Sequence, residues 1–305
     1  MDSAAVKERA RRAGADLVGI ADPELFRNEP DRRHPRSIFP ECRAVIVIGR
    51  RILRGSLRGV EEGTNFGSTY RTFGYTWLED NFLSQTSYDL TCWIEEQNRE
   101  AVPLFGYHEE GMPKGEPVAE DKPAPNVYVD PEFAAQAAGL GEIGLGGFFI
   151  TPEYGIRQRF SLILTDAELE PDAPSTKSIC ADCGACAEAC PFGAINLEEG
   201  RTAGVPGQEY QVAEIDYEIC RQCPNGARLA AGRGSRPDRL AAACARACLV
   251  QLEGAGKCQN TFEQPFRKRE PWVLDVFNRP VQQRSGGGTP AIGCDGVTSD
   301  PDDAN

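Results

Sequence analysis

The chain has 305 residues, of which 40 % are apolar and 26 % charged, the balance of a folded globular protein and not of a disordered one. That length supports one large domain or two modest ones, each with its own core. The formal net charge of −13 is repelled by phosphate backbones, so nucleic acid is not the expected partner.

Ser3 is placed to cap a first helix that ends at Gly14, and residues 17–21 then read as a strand. Residues 43–52 carry Val45, Ile46, Val47 and Ile48, a β-branched run typical of a strand covered on both faces. A second helix is expected over 81–100, with Leu83, Leu90, Trp93 and Ile94 on one face. Residues 106–127, rich in Pro, Gly and charge, read as a long loop that includes His108. Asp130 caps a short helix ended by Gly139, residues 160–164 form another strand, and residues 166–172 make an acidic linker.

This order gives an α+β fold with an α/β body over 1–172 and a cysteine-rich module over 173–260. In the remaining segment, 261–305, residues 262–278 are expected to pack back on the body and the last twenty or so to be disordered. No stretch reaches the roughly 20 apolar residues that span a bilayer. The N-terminus shows neither an apolar leader nor a twin-arginine signal, so a cytoplasmic protein is expected. In that reducing setting the twelve cysteines read as metal ligands or core thiols before disulfides.

Cys180, Cys183, Cys186 and Cys190-Pro191 form C-x2-C-x2-C-x3-C-P. This spacing brings three thiolates to one iron–sulfur cluster and sends the fourth to a second cluster, as in two-cluster ferredoxins. A zinc site would need only two C-x2-C pairs and leaves the extra cysteine and the C-P unexplained. Cys220, Cys223, Cys244 and Cys248 supply a second quartet if about twenty residues are inserted between its pairs. The crossover rule then assigns Cys180, Cys183, Cys186 and Cys248 to one 4Fe-4S cluster and Cys190, Cys220, Cys223 and Cys244 to the other. Leu249 stands where a proline usually follows, and Cys258 is near enough in sequence to compete as a ligand. Cys42 and Cys92 read as core thiols.

Arg221, Arg228, Arg233, Arg236, Arg239 and Arg246 surround the single acid Asp238 in an otherwise acidic chain. They read either as a solvated loop or as a docking patch for an acidic, low-potential electron donor, a ferredoxin or flavodoxin. Gly139-x-Gly141-x-x-Gly144 matches the dinucleotide fingerprint in pattern but follows a helix where the fingerprint follows a strand.

Read in order, residues 138–144, ITPEYGIRQRF, SLILTDAELEPD and the cysteine run resemble the cobalamin-dependent iron–sulfur reductases, the epoxyqueuosine reductases and reductive dehalogenases. The resemblance is densest over 130–200, and VGIAD, RAVIVIG and YRTFGYTW extend it more thinly towards the N-terminus. It implies a nitroreductase-like body joined to the two-cluster module, with cobalamin between them and electrons reaching a small-molecule substrate through the clusters. Tyr70, Arg71, Gly139, Gly141, Gly144 and Arg157 are the implied cofactor-binding residues. Tyr75, Tyr70 and Asp130 are the candidate proton donors. Each has a plainer reading beside it, the tyrosines as core residues and Asp130 with Glu132 as a helix N-terminus. The Asp donor motif of the epoxyqueuosine reductases finds no counterpart, Asp121, Asn126 and Asp130 being nearest, and Leu145-Gly146 replaces their lysine. The competing function is a non-catalytic electron carrier or an activator that reduces the corrinoid of another enzyme.

Overall fold

The apolar run at residues 45–48 sits at the centre of the body. The computed structural model describes residues 1–105, 115–175, 178–226 and 237–281. His108, Arg228, Arg233, Arg236, Cys294 and the C-terminal twenty residues lie outside them.

Helix α1 (Ser3–Arg12) is capped by Asp2 instead of Ser3, because the Asp2 carboxylate accepts the Ala5 amide at 2.8 Å. Strands β1 (Leu17–Ala21) and β2 (Ala44–Arg51) follow, then the single turn α2 (Arg58–Glu61). Residues Gly67–Thr76 and Leu78–Leu83 wind as π-helix directly into α3 (Ser84–Glu96). The helix expected from residue 81 therefore starts later, and it ends before Asn98, whose φ of 57° is left-handed. Strand β3 (Ala101–Leu104), helix α4 (Pro131–Ala137), the short pair β4 (Glu142–Ile143) and β5 (Phe149–Ile150), and β6 (Gln158–Thr165) complete the body.

The main sheet is antiparallel in the order β1-β2-β6-β3. Alternation along β2 explains the unbroken apolar run: each face of the strand has its own helical cover. Ala44, Ile46 and Ile48 pack with Val6 and Ala10 of α1 and Leu90 and Ile94 of α3. Val45 and Val47 pack with Ala134 and Ala137 of α4.

The module contains α5 (Ala185–Glu188), the hairpin β7 (Ile195–Val205) and β8 (Gln208–Ile215), α6 (Tyr217–Arg221) and α7 (Ala243–Gly254). Two short strands, β9 (Val273–Leu274) and β10 (Pro280–Val281), end the described chain. The hairpin was not expected from sequence; its exposed outer positions carry little apolar alternation. A third apolar cluster joins Ile52, Leu57, Tyr70, Phe148 and Ile150 of the body to Ile179, Cys186, Ile215, Cys244 and Leu249 of the module. Residue 172 is thus no gap in the packing.

Helix α7 is fastened to the body by buried charge. Arg246, 1 % exposed, donates to Glu61 Oε2 at 2.8 Å, and Arg267 donates to Glu61 Oε1 at 2.6 Å. The Trp272 indole donates to the Val60 and Glu61 carbonyls, which ties the segment after α7 to α2. Leu249 lies inside α7 and is fully buried, a position where proline would remove a helical hydrogen bond.

Candidate functional site

The cysteines gather where α5, α6 and α7 converge beneath the glycine run, and none of those described is in a disulfide. Burial pushes the Cys248 thiol up, and its charged neighbours are Cys186, Cys180 and Cys183 before Cys244. Burial also pushes Cys244 up, to about 12, and its cysteine neighbours are Cys190, Cys220 and Cys223. Cys220, raised to about 11 chiefly by burial, in turn faces Cys190 and Cys223. The eight thiols thus fall into two groups, with Cys190 and Cys248 each beside the other run's cysteines. Helix α7 makes this possible, since Cys244 and Cys248 are one turn apart on one helix and serve different groups.

Such buried thiols resist ionisation by themselves, whereas coordination to iron deprotonates them. The donor set, all sulfur, with Cys186, Cys220 and Cys244 buried and Cys183 exposed, fits iron–sulfur clusters. Among the described residues no three His, Cys, Asp or Glu side chains converge tightly enough for a single ion; thiolates around a cluster stand farther apart than those around one zinc. Cys258 belongs to neither group. It is buried against Gly155 and Leu252, with Arg157 and Glu253 as its charged neighbours.

The two groups have different walls. A Cβ on Gly144 would stand 3.3 Å from Cys180 Sγ, and one on Gly146 would stand 2.7 Å from Cys186 Sγ. The glycine run therefore lets the body's backbone approach the first group. Glu142, fully buried on β4, accepts the Ile179 and Cys180 amides at 2.8 and 2.5 Å and holds the loop that carries Cys180. Burial raises its carboxyl above the ordinary value. Cys180 Sγ also contacts Asp182 Oδ1 at 3.5 Å. The second group faces Arg239, whose charge acts on both Cys220 and Cys244. Neither Glu142 nor Arg239 announced this role in the sequence; only chain folding brings them to the thiols.

Tyr70 is fully buried, donates to Asp238 Oδ2 at 2.7 Å and accepts from Arg159 Nη2 at 2.9 Å. Burial, then the Asp238 carboxylate, push its phenol well above the ordinary range. Burial works against the Arg159 charge, yet Asp238, Tyr70 and Glu79 outweigh it and hold the guanidinium protonated. Arg159 also lies over the Tyr75 ring, 4.9 Å from its centre. The basic neighbour of these tyrosines is therefore Arg159 on β6, while Arg71 lies on the exposed side of the π-helical segment. Gly74 makes the packing possible, because a Cβ there would meet Tyr70 Cδ2 at 2.5 Å.

Asp130, a candidate proton donor, and three of the residues expected to bind a cofactor, Arg157, Gly139 and Gly141, are engaged within the protein. Asp130 caps α4 through the Glu132 and Phe133 amides. Arg157, 1 % exposed, donates to Ile52 O and Asn260 Oδ1. Cβ atoms on Gly139 and Gly141 would strike the carbonyls of Ala173 and Ile150 at 2.4 and 2.0 Å. A cavity of about 490 Å3, lined by Arg36, Cys42, Arg43, Arg99 and Asp166 among others, includes none of them. Of the arginine cluster, Arg239 and Arg246 are buried and so are not part of an exposed docking face, while Arg221 is half-buried beside Glu218.

Residues 179–261 match the family described as a 4Fe-4S dicluster domain. The tetrachloroethene reductive dehalogenase of Dehalobacter restrictus is 41 % identical over 86 residues, covering 27 % of this chain and 15 % of that protein. The epoxyqueuosine reductase of Synechocystis sp. is 27 % identical over 183 residues, covering 59 % of this chain and 53 % of that protein. Among solved structures, the catabolic reductive dehalogenase NpRdhA superposes with a TM-score of 0.50 at 18 % identity, over 96 % of this chain and 41 % of that one. The chain is a homologue of both groups and carries a 4Fe-4S dicluster domain. It spans well under two thirds of the relatives it matches. Among the described residues no helix is long and apolar enough to cross a membrane.

Proposed function

We propose that the chain is an iron–sulfur reductase that moves single electrons through two 4Fe-4S clusters, one held by Cys180, Cys183, Cys186 and Cys248 and one by Cys190, Cys220, Cys223 and Cys244. The observation that carries this reading is the sorting of eight thiols into two groups that exchange one cysteine each. When bound, the clusters supply low-potential one-electron chemistry. The protein's own part is to bury the thiols, exclude water and surround each group with a different fixed charge.

By the family resemblance of the sequence, the body is proposed to be nitroreductase-like with cobalamin as the electron acceptor, and a small molecule to be reduced by dehalogenation or a related reductive cleavage. Of the residues expected to hold cobalamin, Arg157, Gly139 and Gly141 make internal contacts. Tyr70 and Tyr75 remain the proposed acids, with Arg159 and Asp238 holding Tyr70 in place. A ferredoxin or flavodoxin is the proposed electron donor. The internal engagement of Arg157, Gly139 and Gly141 favours a second reading, an electron carrier that reduces the corrinoid of another enzyme.

Anaerobic purification, iron and sulfide analysis and titration with cobalamin test these readings together. About eight iron and eight sulfide per chain are expected, with cobalamin taken up and its spectrum changed. Cluster absorption with no cobalamin uptake would leave the carrier reading and remove the first. Four iron would reduce the module to one cluster.

A further inference from the structure

Arg239 is a buried cation that the contacts described so far do not fully explain. It is 6 % exposed, and no carboxylate among the described residues pairs with it. Nη2 donates to the Gly146 and Gly147 carbonyls at 3.0 and 3.2 Å. The guanidinium lies over Phe148, 4.4 Å from the ring centre, and 5.6 Å from that of Tyr217. Nη1 is buried with no hydrogen-bond partner among the described residues. An unpaired buried charge costs several kcal/mol unless a counter-charge compensates it, and a carbonyl pair with two ring faces compensates only part.

The side chain is also held firmly where it stands. Asp238, the preceding residue, is locked by Tyr70, Arg159 and the Leu240 amide. Tyr217 opens α6, the helix that carries Cys220. Among the charges acting on Cys220 and Cys244, that of Arg239 is the strongest, while Asp216 is a lesser opposing charge at Cys220. Beside the first quartet the nearest fixed charge has the other sign, since Asp182 contacts Cys180 Sγ at 3.5 Å.

We infer that Arg239 is a positioning residue for redox order: its buried guanidinium holds the cluster of Cys190, Cys220, Cys223 and Cys244 at a higher reduction potential than the cluster of Cys180, Cys183, Cys186 and Cys248. The inference rests on the two-cluster reading above. A 4Fe-4S cluster with four thiolate ligands is an anion, and one added electron makes it more negative without making or breaking a bond. A fixed positive charge in a buried site therefore favours the reduced form, and a hydrogen bond from Nη1 to cluster sulfur would act in the same direction. An electron from a low-potential donor then comes to rest on the second cluster.

The test is a potentiometric titration of the anaerobic protein, followed by EPR, in wild type, Arg239→Gln and Arg239→Lys. Wild type should show two one-electron steps. In Arg239→Gln the higher step should fall, changing the reduced-to-oxidised ratio at a fixed potential by at least tenfold, or 59 mV, while the lower step stays. Arg239→Lys, which keeps the charge, should recover most of the shift. Cys183→Ser, which disables the first cluster, gives a reading independent of any Arg239 variant: the lower step should vanish and the higher one remain. Loss of the higher step in Cys183→Ser, or unmoved steps in Arg239→Gln with eight iron still bound, would overturn the inference alone. Four iron in the wild type would sink the two-cluster reading and this inference with it.

Discussion

The two cysteine groups share one helix and one core but differ in what faces them. The group around Cys180 is walled by backbone at Gly144 and Gly146 and attended by Glu142 and Asp182. The group around Cys220 is attended by a buried guanidinium anchored on the same glycine loop. Two sites of identical ligand chemistry are thus set in opposite local fields, and local field is one of the means by which a protein tunes an iron–sulfur cluster. The lesson is that the stretch from Gly144 to Phe148 works on both, giving space to one group and carbonyl anchors to the charge that faces the other.

The most direct way to break this comparison is to remove a ligand from one side. Cys244→Ser should take iron from about eight to about four per chain and leave the EPR signal of the first cluster intact. Cys258→Ser, at a thiol outside both groups, should keep the full iron content. If Cys258→Ser loses a cluster and Cys244→Ser does not, the second ligand set is wrong.

A change that treats both groups alike comes next. Glu61→Ala leaves Arg246 buried without its carboxylate and loosens α7, which carries one cysteine of each group. It should cost about 3–5 kcal/mol, read as a lower denaturation midpoint, with both clusters lost in a single transition. Separate losses would show that α7 does not couple them.

Gly146→Ala sharpens the contrast in the other direction. Its Cβ would press on Cys186 Sγ at 2.7 Å, with Phe148 next at 3.4 Å. Overpacking of about 1–3 kcal/mol is expected, together with selective loss or perturbation of the first cluster's EPR signal.

The smallest effect concerns Glu142 and pH. Burial keeps its carboxyl above the ordinary 4.5, so the native state retains a proton that the unfolded chain has released. Stability contributed by this group then falls as pH rises through the window that opens at about 4.5. Glu142→Gln cannot ionise and still offers an oxygen to the Ile179 and Cys180 amides. Its stability relative to wild type should rise as pH is raised above about 4.5, as followed by denaturant unfolding under argon; a flat difference would mean that the carboxyl titrates normally.

Much of the body was legible in sequence because its signals are local. The run at 45–48 meant a strand covered on both faces, and Asp130 with Gly139 bracketed a helix, since strand periodicity and helix ends are written within a few residues. The π-helical stretch at 67–83 escaped, because the same apolar residues fit an ordinary helix and the wider turn is set by Tyr70 packing into Gly74. The hairpin at 195–215 escaped for want of an alternating pattern.

For the site, the sequence by itself determined the ligand type and the expectation of two quartets that exchange Cys190 and Cys248, because chain connectivity limits which thiols reach one cluster. Tertiary structure alone decided which charge faces which quartet, that Arg159 and not Arg71 serves Tyr70, and that Arg157 is occupied by Ile52 and Asn260. Tyr70 and Asp238 are 168 residues apart, and Arg239 and Gly146 are 93 apart. No local pattern encodes such pairs. They arise when burial of a common core removes water from charged groups and leaves each the few partners that the fold has carried to it.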